Sequence, residues 1–343
     1  MAAWRKQSKS FRLFVSTVAA IGIGATLGFL PLASYGFSPG DALPVRSEIA
    51  VSGEPNLSNQ GRILMTDILL TQLTPITWAL DHLNPTVSIY PAAEVSGGAS
   101  QSQLVQLQIS QMTDSKTQAV LAAYNYLHLA YQKIPGAEIV DTTAKASRNL
   151  VPGDIIVGVN HVNVTTVGQA VASISHAGKS LVLTILSEGN QVGAPITHGL
   201  VVHKYRLGNR SVIGVGLASN FALRLLRPVR FDTGQIGGPS AGLAFTLGIM
   251  QALGALRISK GALFAATGTM DVVGNVGDVG GVKQKAIAVG RAGATLFLVP
   301  PPEYLAAKSA KEPGLKVVPV DTLTQAITYL TTHSFAQIIS VKA

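Results

Sequence analysis

Cysteine is absent from this chain of 343 residues, which excludes disulfides and thiolate metal sites. Charge is scarce. Only 13% of residues are Asp, Glu, Lys or Arg against 47% hydrophobic ones, a balance too apolar for a disordered chain and one that leans toward membrane attachment. Aromatics, at 6%, are also few, and no basic run after the amino terminus is interleaved with them. The net charge of +9 therefore does not argue for nucleic-acid binding. Arg5, Lys6, Lys9 and Arg12 carry four of those charges within the first twelve residues.

No charged residue stands between Leu13 and Gly40. A helix needs about 20 apolar residues to cross the hydrocarbon layer, so a transmembrane helix is expected over residues 13–36. The basic cluster ahead of it keeps residues 1–12 in the cytoplasm and sends the chain after Pro39 across the membrane. A cleaved signal peptide begins with the same charge pattern, but this apolar run exceeds the usual core of about 7–15 residues and no small-x-small cleavage site follows. The expectation is a single-pass protein of the cell membrane with its catalytic part extracytoplasmic.

Residues 41–129 read as a separate extracytoplasmic region with short strands at 48–52, 62–70 and 86–90. A helix capped at Thr113 is expected to run to about Lys133. His128 within it reads as a helix-surface or core histidine, because no second ligand stands four residues away. Further on, Leu150-Val-Pro-Gly-Asp-Ile-Ile-Val-Gly-Val-Asn-His-Val-Asn-Val164 combines a Gly-Asp turn, a strand, an Asn-His turn and a second strand. A helix over 167–175 and a strand over 180–186 follow. The unit, residues 130–188, resembles the PDZ domain in the order found in bacterial periplasmic proteases. That resemblance implies capture of an extended peptide by strand addition, with protein or peptide substrates held by their C-termini. The tail Ala177-Gly-Lys-Ser180 imitates a phosphate loop, but Ser173 stands where that loop needs glycine. The expectation is an ATP-independent protein without cofactor or metal.

The stretch that organises the chain is Asp232-Thr-Gly-Gln-Ile-Gly-Gly-Pro-Ser-Ala-Gly-Leu-Ala-Phe-Thr-Leu-Gly-Ile-Met250, read with Gly280-Gly-Val-Lys-Gln-Lys285. A glycine-rich turn opens a helix at Ser240, placing the hydroxyl beside unpaired backbone N–H groups and the positive end of a helix dipole. Residues 190–343 alternate strands and helices, which argues an α/β or α+β unit with helices covering a mixed sheet.

Gly238-Pro-Ser-Ala-Gly242, Ala266-Thr-Gly268 and Gly280-Gly-Val-Lys-Gln-Lys285 closely resemble the proteolytic domain of Lon-type peptidases. With its anchor and PDZ-like unit the whole chain resembles the membrane-anchored, PDZ-containing Lon-like proteases of bacteria. The resemblance implies a serine nucleophile at Ser240, a lysine base at Lys285, a supporting hydroxyl at Thr267, and assembly into a homo-oligomeric ring. Two positions depart from that pattern. Gly237 and Thr269 stand where Lon domains often carry acids, which puts carboxylate assistance to the dyad in doubt.

Helical geometry bears on the lysine independently. At about 100° per residue, Lys285 shares a face with Val282, Ala288, Val289 and Ala292, while Lys283 turns toward Gln284, Arg291 and water. A base poised near 7 to 8 needs a shift of roughly 3 units, on the order of 4 kcal/mol. Backbone N–H groups at Gly238, Ser240 and Ala241 are the oxyanion candidates. His203, Arg224, Arg227 and Arg230 are read as a solvated basic face rather than a groove. Two rivals remain. Gly238-Pro-Ser-Ala-Gly242 also fits the G-x-S-x-G elbow of an esterase with His333 and Asp278 or Asp321, and the chain could be an inactive PDZ adaptor.

Overall fold

The computed structural model describes residues 28–234 and 236–339. Most of the anchor expected over 13–36 lies outside them, and Ser34, Tyr35 and Gly36 at its end belong to a strand. Among the described residues no helix is long and apolar enough to cross a membrane.

In chain order the principal elements are strands β1 (Ser34–Pro44), β2 (Arg62–Gln72) and β3 (Ser88–Pro91), helix α1 (Gln101–Tyr126), strands β4 (Tyr131–Thr142) and β5 (Ile155–Val159), and helix α2 (Val167–His176). Strands β6 (Ser180–Ser187), β7 (Ile196–His203) and β8 (Val215–Leu225) come next, then helix α3 (Gly242–Ala252), strand β9 (Leu263–Ala266) and helix α4 (Val282–Arg291). Strands β10 (Leu296–Val299) and β11 (Lys316–Pro319) and helix α5 (Leu323–Thr332) complete the set.

One sheet runs β11-β10-β9-β2-β1-β3. Its β9, β10 and β11 are parallel to one another and to β2, whereas β1 runs antiparallel to both of its neighbours, β2 and β3. Parallel strands covered on both faces must be apolar throughout, and Leu296-Phe-Leu-Val299 is wholly buried. The pairing of Arg62, Ile63 and Leu64 with Leu263, Phe264 and Ala265 corrects the sequence-based division of the chain. Residues 41–129 are no separate region; their strands complete the sheet whose other half begins two hundred residues later. Nothing local in β2 announces so distant a partner.

The second sheet runs β7-β6-β5-β4-β8. It has its own core of Ala137, Ile139, Ile156, Leu183, Val202 and Ile213, with Ala170 and Ile174 of α2 packed in. Strand β8 pairs with β4 from Val215↔Thr142 to Leu225↔Tyr131, so this unit extends to Leu225 and does not end at 188. It is inserted between the two halves of the first. The phosphate-loop imitation at 177–180 connects α2 to β6, the reverse of the strand-to-helix order such a loop needs.

Helix α1 begins twelve residues earlier than Thr113. Ser100 accepts from Gln103 N–H, and the Gln103 side chain answers at the Ser100 backbone, a capping box that fixes the start. Thr113 sits inside the helix, its hydroxyl donating to the Ile109 carbonyl. The helix ends at Tyr126, and exposed His128 takes a positive φ of 54° beyond it. Helix α3 is buried at every residue, as a helix apolar all round must be; it packs on α1, and Phe245 meets Phe231 edge-on with centroids 5.3 Å apart.

Candidate active site

Ser240 lies one residue before Ala241, the N-cap of α3, and lines a cleft of about 920 Å³ together with Lys285. The cleft is walled by residues 66–70 of β2, by the first half of α1, and by the loop 236–240. Helix α4 starts at Gly281, whose φ of +67° belongs to the left-handed region, where glycine alone is unstrained. Lys285 follows one turn later and is 2% exposed.

The Lys285 amine donates to Thr267 Oγ1 at 3.2 Å, and the Thr267 hydroxyl donates to the Ser240 carbonyl at 3.1 Å. Thr267 is fully buried. It therefore ties the lysine to the backbone of the serine, while among the described residues Ser240 Oγ itself has no hydrogen-bond partner. Burial lowers the Lys285 amine from 10.5 to about 7, against the opposing pull of the Asp67 and Glu303 carboxylates. At neutral pH a large fraction is uncharged.

Those two carboxylates were not visible as site residues in the sequence. Asp67 comes from β2, where its Oδ1 accepts from the Asp41 backbone at an irregularity in the β1–β2 pairing, and Glu303 follows β10; both line the cleft. The Glu303 carboxyl is raised above its usual range, by burial first and then by Asp278, with Lys285 opposing. The absent acid at 237 also has a physical account. A Cβ on Gly237 would stand 2.9 Å from Gln108 Cβ of α1, so no side chain fits there without displacement.

One oxyanion candidate is corrected. The Gly238 N–H already donates to the Gln108 carbonyl at 2.9 Å. The N–H groups of Ser240 and Ala241 have no acceptor among the described residues and sit at the start of α3, where the helix dipole favours negative charge.

Lys283 turns away from the cleft and donates to the Pro85 carbonyl. Gln284, grouped with it on the wet side, is instead buried and bonds the Thr86 carbonyl and Ser88 Oγ, because the segment leading into β3 covers that face. Arg227 is not a solvated cation either. Its guanidinium donates to the carbonyls of Ser52, Gly53 and Leu253, closing the C-terminal end of α3. His203 shares a hydrogen bond with Ser180, while Arg224 and Arg230 are exposed.

The esterase geometry is not assembled. Ser240 is preceded by the loop after Phe231 rather than by a strand. The His333 ring stacks on Tyr329 at 4.0 Å and is absent from the cleft lining.

A hydroxyl at a helix N-terminus beside a buried, partly neutral amine is the equipment of a serine-type hydrolase that works without histidine. Residues 233–335 match the family model of the Lon protease (S16) C-terminal proteolytic domain. The matched segment contains Ser240, Thr267 and Lys285, and it makes the chain a serine-type peptidase. Strands β1 to β3 and helix α1, which supply Asp67 and Gln108, lie outside the match.

Proposed function

We propose that this chain is a membrane-anchored, ATP-independent endopeptidase with a Ser240/Lys285 dyad that cleaves extracytoplasmic or membrane proteins. The observation that carries the reading is the Lys285 amine, buried, lowered to about 7 and bonded to Thr267 inside the cleft that holds Ser240. The reaction requires the Ser240 hydroxyl to reach Nζ across the cleft that both residues line. Neutral Lys285 then takes the hydroxyl proton as Oγ attacks the peptide carbonyl, and the resulting ammonium gives that proton to the leaving amine. Water, deprotonated by the same lysine, releases the acyl group from Ser240. The N–H groups of Ser240 and Ala241 face the oxyanion, and Asp67 and Glu303 stabilise the transient ammonium.

Substrate backbone has a ready partner. Strand β2 pairs with β9 only through Leu64, so the edge of residues 66–70 that borders the cleft is open to an added strand. The inserted sheet is the proposed PDZ unit: β8 pairs as a strand only with β4, helix α2 packs near it, and although the Leu223 and Leu225 N–H groups are taken by Glu188 and the Gly193 carbonyl, the rest of its outer edge suits capture of a peptide end. Retention of residues 13–36 as the anchor and assembly into a ring belong to the same proposal and rest on the sequence resemblance.

Labelling of the full chain in detergent with a fluorophosphonate tests the dyad. Modification at Ser240, lost in Lys285→Ala and kept in His333→Ala, is the expected result. Hydrolysis of an unfolded protein by Ser240→Ala at the unmodified rate overturns it.

A further inference from the structure

The helix Pro75–His82 is built inside out. None of its residues is buried, and Ile76, Trp78 and Leu80 are 42%, 40% and 62% exposed, with Leu83 just beyond at 82%. Thr77 and Asp81 turn the other way, while exposed His82 stacks on Trp78 with ring centroids 4.3 Å apart. Thr77 closes a capping box with Thr74, and Asp81 points at β1, where a Cβ on Gly36 would stand 3.0 Å from its Oδ2. A water-facing helix has the opposite arrangement. Single exposed apolar residues need no explanation, but a cluster does.

The cluster continues into the first described residues of the chain. Phe29 and Leu30 are 71% and 54% exposed, and Gly28 lies so near Ile76 that a Cβ there would come within 2.8 Å of Cδ1. Leu32 N–H donates to the Leu73 carbonyl, and the Gln72 amide donates to the Leu32 carbonyl. The charge-free run from Leu13 is thus fastened at its end to the base of this helix.

We propose that Pro75–His82, with Phe29, Leu30 and Leu83, is a lipid-facing foot that lies in the bilayer interface and seats the peptidase on the membrane. Lipid is the occupant because the apolar run ends on this face, and because a short helix presenting tryptophan and aliphatic side chains suits the headgroup boundary. The inference rests on the anchored reading only for delivery of the face to a bilayer. It also sets where the enzyme cuts. Strand β1 leads from this foot to Phe37, which lines the cleft, and at about 3.4 Å per residue the seven residues from Leu30 keep that wall of the cleft within roughly 25 Å of the lipid surface. Substrate segments close to the membrane are the ones it reaches.

The chain has two tryptophans, Trp4 and Trp78, so full-length Trp4→Phe reports on Trp78 alone. It is reconstituted into phosphatidylcholine vesicles containing phosphatidylglycerol, with and without brominated acyl chains, and recovered by flotation. Trp78 emission is expected to fall about two-fold with brominated lipid. Leu80→Ser/Leu83→Ser, which still floats and still hydrolyses soluble peptide, should regain most of the emission. Protein that floats with equal emission in both lipids overturns the foot while leaving the anchor standing. Protein that fails to float overturns both. Shielding of Trp78 that grows with protein concentration, equally in both lipids, assigns the face to a second copy and overturns the lipid occupant.

Discussion

Lys285 is protonated below about 7 and neutral above it, so peptidase activity at the dyad rises with pH. A kcat/KM profile should show one acid limb near 7 and a plateau on its alkaline side. Asp67 favours the charged amine, so Asp67→Asn should move that limb to lower pH by roughly half to one unit and lower the plateau. A limb that stays in place under this substitution removes Asp67 from the site. Stability carries the same signature. Because the folded chain holds this proton less tightly than the unfolded chain, with 10.5 falling to about 7, the unfolded state binds more protons between those values. Stability therefore rises with pH across that window, by an amount on the order of 4 kcal/mol. Lys285→Met should raise Tm markedly at pH 7 and little at pH 10. Ser240, Thr267 and Lys285 were legible in the sequence because each stands in a short local motif, and helical angles alone separated Lys285 from Lys283. Asp67, Glu303 and Gln108 were not. They reach the cleft through strand pairing and helix packing that no local pattern encodes.

Helix α1 ties the nucleophile loop to the rest of the molecule. Its Gln108 carbonyl accepts from Gly238 N–H, and Ser115 Oγ donates to the Pro239 carbonyl at 3.1 Å. Installing the acid that Lon domains often have, by Gly237→Asp, forces a side chain against Gln108 and should cost about 1–3 kcal/mol as overpacking does. The expected readout is a lower unfolding midpoint together with reduced hydrolysis. Gln108→Gly, which opens that space, should restore part of the hydrolysis. Unchanged stability in Gly237→Asp would show that the loop moves freely off the helix. After residue 240 the longer elements α3, α4, β10, β11 and α5 carry strong apolar periods bracketed by turn signals, whereas the short segments Leu256–Ile258, Tyr304–Lys308 and Ala336–Ile338 carry no pattern that announces them. The start of α1 was misplaced because Ser100 and Thr113 both offer capping side chains, and only the reciprocal bond from Gln103 distinguishes them.

At the scale of the molecule the decisive feature is that the middle sheet interrupts the first. Mixed α/β architecture was readable from the alternation of elements, but the insertion was not, because β2 and β9 find each other across it. Its two ends meet. Tyr131 pairs with Leu225, and Lys133 with Leu223, so the chain leaves the peptidase unit and returns to it on adjacent strands. Leu223 and Leu225 still pack into the main core, as does Val192 from within the middle stretch, while the other buried residues of that stretch form a core of their own. Replacing residues 134–222 with an Asn-Gly turn should close β4 and β8 into a hairpin and keep the sheet around Ser240 and Lys285, at the cost of Val192 and its pairing with Val229 at the edge of the main core. The shortened chain is expected to hydrolyse small peptides within a few-fold of the full chain, since no residue of the cleft is removed. Its preference among protein substrates should fall toward that of an unselective peptidase, because the edge of β8 that would hold a substrate end is gone. Equal loss toward small peptides and proteins would mean instead that the middle sheet supports the catalytic geometry rather than choosing what enters it.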